Sequence, residues 1–124
     1  MPKGNEKEDM DTITIYHNPR CSKSRQTLAL LIENGVSPKV VEYLKSPVDT
    51  PTLKDMLAKL GVSAHEIVRS KEAEYTDAGL SADSAEDEVI SALIQYPKML
   101  ERPIVVTETN AAIGRPPENV LALL

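Results

Sequence analysis

Apolar positions along the chain follow two rhythms, short β-branched runs and helical stripes. Ile13 to Tyr16 is a β-branched run and reads as a strand. Beyond Pro19, Leu28, Leu31 and Ile32 recur at the spacing of one helix face, so a helix is predicted to begin just past Cys21. Asn34-Gly35 is a stop signal for it. Lys39 to Tyr43 reads as a second strand, and the intervening helix predicts a right-handed βαβ unit with parallel strands. Asp49-Thr50-Pro51 opens another helix, striped by Leu53, Met56, Leu57 and Leu60 and closed by Gly61. Ser63-Ala64-His65-Glu66 has capping-box spacing and predicts a short helix carrying Ile67, Val68 and Arg69. Lys71 to Asp83 reads as a loose segment. Ser84 to Asp87 then starts a helix with Val89, Ile90, Leu93 and Ile94 on its buried face, ended by Pro97. Ile104 to Thr107 is a strand, Glu108-Thr109-Asn110 a three-residue turn, and Ala111 to Ile113 an antiparallel partner. A last helix starts at Pro116, with Val120, Leu121 and Leu124 expected inward. The order is βαβ, a helical block over about 51–100, then ββα.

Composition narrows this picture in a few places. A chain of 124 residues fits one domain, and without Trp or Phe its core must be built from Leu, Val and Ile. No apolar run approaches the ~20 residues that span a bilayer. Residues 1–11 are polar, lack a signal core and read as a disordered lead-in to a domain over 12–124. A cytoplasmic protein follows from that. A monomer is expected, because no stripe of apolar residues marks an interface. The net charge of −5 argues against a nucleic-acid-binding surface.

Candidate chemistry gathers at Cys21, the sole cysteine, where a strand ends and a helix begins. Free N–H groups and the positive end of the helix dipole meet there, and they favour the thiolate, which is the nucleophile. Ser22 and Ser24 are capping types, and the Ser24 hydroxyl can donate to the sulfur. With one cysteine no internal disulfide can form, so an oxidised Cys21 must be resolved by a thiol from another molecule. Arg102 and Arg115 each precede a proline, and Arg69 lies in the helical block; guanidiniums of this kind could grip a tetrahedral oxyanion. The Arg102-Pro103 bond is open to either isomer, with cis at only about 5% of X–Pro bonds. His17 could tune the thiolate electrostatically, serve a structural role or face solvent. The two histidines, the cysteine and the acids show no metal-ligand spacing, and no Gly-rich phosphate loop is present.

His17-Asn18-Pro19-Arg20-Cys21 with Ser24-Arg25 resembles the H-N-P-x-C-x-x-S-R signature of the glutaredoxin-linked arsenate reductases. Arg102-Pro103-Ile104-Val105-Val106, Arg115-Pro116 and Val68-Arg69 resemble further segments of that family, in order from Ile13 to Leu124. The resemblance implies an α/β thioredoxin-like fold: a four-stranded mixed sheet with a helical insertion between its halves. It implies Cys21 as nucleophile, His17 as the residue assisting its ionisation, and Arg69, Arg102 and Arg115 as oxyanion ligands. Ser24 and a cis Pro103 would support the site. Arsenate would be the substrate, glutathione the co-substrate and glutaredoxin the protein partner, with no bound cofactor or metal. One departure is Ser22-Lys23, where resistance-operon reductases commonly have Gly-Thr. It keeps open a glutathione-linked reductase of another substrate. Non-catalytic Spx-type polymerase-binding regulators share the fold; they usually carry C-x-x-C, which Cys21-Ser22-Lys23-Ser24 does not match.

Overall fold

The computed structural model describes residues 13–124. The predicted lead-in over 1–11 lies outside them. The chain divides into two compact units: one of the described residues through Glu42 together with Arg102–Leu124, the other Tyr43–Glu101.

The first unit is built on a four-stranded mixed sheet. β1 (Thr14–His17) runs parallel to β2 (Lys39–Glu42), with Ile15 opposite Val40 and His17 opposite Glu42. On its other side β1 pairs antiparallel with β3 (Ile104–Val106), which pairs antiparallel with β4 (Ala111–Ile113). The sheet order is β2-β1-β3-β4, and the sheet is mixed and four-stranded as the family resemblance implies. The helix α1 (Ser22–Glu33) forms the βαβ crossover. Its end follows the Asn34-Gly35 signal: Gly35 takes φ +83°, and the N–H groups of Asn34 and Gly35 close the last turn.

Two helix faces differ from expectation. On α1 the buried residues are Ser24, Thr27 and Leu31, with Leu28 and Leu30 partly covered, while Ile32 is 58% exposed. The stripe is therefore rotated so that two small polar residues face inward toward the site. At the C-terminus, Pro117–Leu123 is a 3₁₀ helix rather than an α-helix. Its three-residue period places Pro117, Val120 and Leu123 on one side, and leaves Leu121 and Leu124 exposed. Ile13, Ile15, Leu31, Val105 and Val120 form the core of this unit.

The second unit is mostly helical. α2 (Thr50–Leu60) starts on Asp49, whose carboxylate accepts the Thr52 N–H at 2.9 Å, and stops at Gly61 with φ +72°. The predicted short helix at Ser63 shrinks to a 3₁₀ turn, Ala64–Glu66. Ser63 makes no side-chain cap; instead the Glu86 carboxylate accepts the Ala64 N–H at 3.0 Å. Val68 and Arg69 consequently leave the helix, and Val68 forms a bridge with Leu100. Within the loose segment lies one short helix, α3 (Ala73–Asp77). α4 (Glu86–Gln95) buries Val89, Ile90, Ala92 and Leu93, and packs on α2 and on the 3₁₀ turns Ala64–Glu66 and Pro97–Met99.

Candidate active site

β1 delivers the chain to a turn built by its own sequence. Asn18 accepts the Arg20 N–H on its side-chain oxygen at 3.0 Å, and its carbonyl accepts the Cys21 N–H at 3.0 Å. Cys21 is thereby set as the N-cap of α1, with extended backbone (φ −92°, ψ 123°) and its carbonyl taking the Arg25 N–H. Its side chain is half-buried and free of any disulfide.

Burial alone would raise the Cys21 thiol pKa, because it disfavours the charged form. Four favourable contributions outweigh it. The backbone N–H of Ser24, the hydrogen bond and charge of the Arg102 guanidinium, and the Lys23 N–H together hold the thiol below its ordinary value. Arg115 adds a second guanidinium, with Nη2 3.4 Å from the sulfur. Its Nε donates to the Arg102 carbonyl at 2.7 Å, so the two arginine-bearing loops are tied together at the thiol.

Both Arg102-Pro103 and Arg115-Pro116 are cis. The first resolves a bond that the sequence leaves open to either isomer; for the second the sequence offers no such signal. Gly114 lies where α1 approaches this pair of loops. A Cβ there would stand 2.5 Å from Thr27 Oγ1 and 2.8 Å from Pro103 Cγ, so only glycine fits without a shift. Thr27, fully buried, donates its hydroxyl to the Lys23 carbonyl at 2.8 Å and stands 3.4 Å from the Gly114 carbonyl.

Ser24 and His17 meet each other beside the Cys21 turn. Ser24 is buried, and its hydroxyl accepts the Asn18 N–H at 3.0 Å and meets His17 Nδ1 at 2.7 Å. It is the backbone N–H of Ser24, not its hydroxyl, that favours the thiolate. Burial, first, and the Arg25 charge lower the His17 pKa against the raising effect of Glu42, so the ring is neutral near pH 7. A neutral ring bonded to Ser24 brings no positive charge to the sulfur. The Ser24 hydroxyl that His17 meets also holds the Asn18 turn.

Arg69 belongs to the second unit. Its N–H donates to the Met99 carbonyl at 2.6 Å, and its guanidinium pairs with Glu72 at 3.3 Å and Glu101 at 3.0 Å. Of the three arginines, then, Arg102 and Arg115 meet Cys21. Sequence reasoning passed over Asn18, Thr27 and Gly114. The strand-ending Asn-Pro pair and a glycine directly before Arg-Pro were the available signals. Among the described residues no group of three or more His, Cys, Asp or Glu could hold a metal, and no helix is long and apolar enough to cross a membrane.

Comparison with known proteins agrees with this geometry. An uncharacterized protein of Escherichia coli K12, YfgD, is 54% identical over 114 residues, spanning 90% of this chain and 96% of its own. A Neisseria meningitidis serogroup A protein named arsenate reductase is 46% identical over 117 residues, 93% of this chain and 100% of its own. The solved structure of an arsenate reductase from Vibrio cholerae superposes with a TM-score of 0.88 at 41% identity, covering 92% of this chain and 98% of that one. The ArsC family model matches residues 16–123, which include the nucleophile turn, both cis prolines and all three arginines. By motif, fold and site, the chain belongs to the ArsC family.

Proposed function

We propose that this chain reduces arsenate to arsenite through a covalent adduct on Cys21. The reading is carried by the meeting, at one half-buried sulfur, of two guanidiniums and the first N–H groups of α1. Such donors favour a thiolate and hold a tetrahedral oxyanion beside it at any working pH. Relatives named arsenate reductase support that choice of oxyanion.

In the proposed cycle the thiolate attacks arsenic, one As–O bond breaks, and the oxygen leaves as water. The result is a Cys–S–As(V) adduct. Glutathione displaces a second oxygen from this adduct as water, and a glutaredoxin thiolate then attacks the glutathionyl sulfur, breaking its bond to arsenic and leaving the electron pair on arsenic. Two thiols end as one disulfide, arsenic gains two electrons, and water hydrolyses the remaining Cys21 S–As(III) bond, releasing arsenite and restoring the thiol. The external thiols are required because the chain has no second cysteine. Arg102 and Arg115 hold the anion against Cys21, and Arg69 is assigned as the third ligand. The protein is read as a cytoplasmic monomer with no bound cofactor.

Arsenate-dependent NADPH oxidation, with glutathione, glutathione reductase and glutaredoxin supplied, tests the proposal. Turnover in the wild type that disappears in Cys21→Ser, and disappears again without glutaredoxin, is expected. Equal turnover in Cys21→Ser would refute the adduct.

A further inference from the structure

The first turn of α1 carries charge of the wrong sign for a helix. Lys23 and Arg25 sit at its N-terminal end, where the dipole disfavours cations, and no acidic residue accompanies them. α4, by contrast, opens with Glu86, Asp87 and Glu88. Arg20 stands immediately before Cys21, and Arg20, Lys23 and Arg25 are all exposed. Arg25 is held over the turn by a 2.9 Å hydrogen bond from Nη1 to the Pro19 carbonyl. The bias extends through the unit. Its described residues include six Lys and Arg against four Asp and Glu, whereas Tyr43–Glu101 has six against eleven. In a chain of net charge −5, Cys21 is flanked in sequence by exposed cations beyond the two guanidiniums at its sulfur.

We infer that Arg20 and Lys23, with Arg25 behind them, form a recognition rim for the resolving thiol and select a small thiol that bears carboxylates. The inference rests on the reading that a Cys21 adduct is resolved from outside. Arg20 directly precedes Cys21 and Lys23 lies two residues beyond it, both exposed, so a thiol that reaches the sulfur comes close to them. Two exposed cations there raise the local concentration of an anionic thiol and leave a neutral one unaffected. Lys23 thereby gains a purpose that the commoner Gly-Thr pair cannot serve: it sets the charge of the co-substrate.

Thiol–disulfide exchange tests this without arsenate. Cys21, the sole cysteine of the full chain, is converted to its mixed disulfide with thionitrobenzoate. A thiolate that attacks Cys21 Sγ breaks the S–S bond, forms a new disulfide and releases the coloured thionitrobenzoate with the electron pair. Second-order rate constants are measured for glutathione and for 2-mercaptoethanol, on the wild type and on the Arg20→Gln/Lys23→Gln double variant, whose backbone N–H groups remain in place. Each ratio is compared with that for a small-molecule mixed disulfide. The expected result is a glutathione preference in the wild type that falls about three- to tenfold in the double variant and shrinks with added salt. A ratio unchanged by the double substitution would overturn the inference. So would a charge preference that appears only when glutaredoxin replaces glutathione, since the rim would then serve a protein. Failure of arsenate turnover leaves this exchange ratio readable, so the two readings stand or fall separately.

Discussion

Cys21 shows how a single side chain acquires chemistry from its neighbours' main chain. A buried thiol resists ionisation, and the local burial does push this one upward. The opposing contributions come from groups whose position is fixed by turn and helix geometry: two N–H groups of α1 and a guanidinium from the loop before β3. Arg115 is placed with equal economy. One end of its fork holds the Arg102 carbonyl and the other reaches the sulfur. A lysine offers charge without that fork, so Arg115→Lys is expected to lose at least about tenfold in kcat/KM for arsenate, measured in the coupled assay. His17 gives a prediction of a different kind. Its folded pKa lies below the unfolded value of about 6.5, so the unfolded chain binds the proton first as pH falls. The stability this neutral ring contributes is present above about pH 6.5 and drains away as pH falls toward the folded value. Denaturant midpoints should therefore drop between pH 7 and pH 5 in the wild type, and drop less in His17→Gln.

At the scale of elements, the sequence was most legible where turn chemistry was explicit. Asn34-Gly35, Asp49 with Pro51, and Gly61 each ended or began a helix where their backbone preferences demanded. It was least legible where side-chain period was inferred from apolar residues alone. Ile32 was assigned inward on α1 because it is apolar; Ser24 and Thr27 took that face because their hydroxyls bond His17, Asn18 and the Lys23 carbonyl. The C-terminal segment misled for another reason, since a 3₁₀ helix exchanges the α-period for a period of three. These reassignments are measurable. Leu31→Ala should cost ~2–5 kcal/mol, and Ile32→Ala should stay within ~0.5 kcal/mol, both by denaturant titration. Gly114→Ala forces its new methyl against Thr27 and Pro103. It should cost ~1–3 kcal/mol and lower arsenate turnover, because the same loop carries Arg115.

For the molecule as a whole, residues distant in sequence build one site because the sheet order places β3 beside β1. The strand that leads to Cys21 and the strand that follows Arg102 are neighbours, and the loop after β4 brings Arg115 to the same sulfur. No spacing in the sequence states that convergence; only the pairing of strands does. The motif pointed to Cys21, Arg102 and Arg115, while the tie between the two cis-proline loops and the close approach at Gly114 emerge from the fold. This architecture holds the Cys21 thiol below its ordinary pKa. The most direct test is the pH dependence of alkylation by iodoacetamide, a neutral reagent that reports the only thiol in the chain. The account predicts a rate that levels off with an inflection below the free-thiol value of about 8.5, and an upward move of that inflection in Arg102→Gln. An inflection at or above the free value, or one that Arg102→Gln leaves in place, would contradict it.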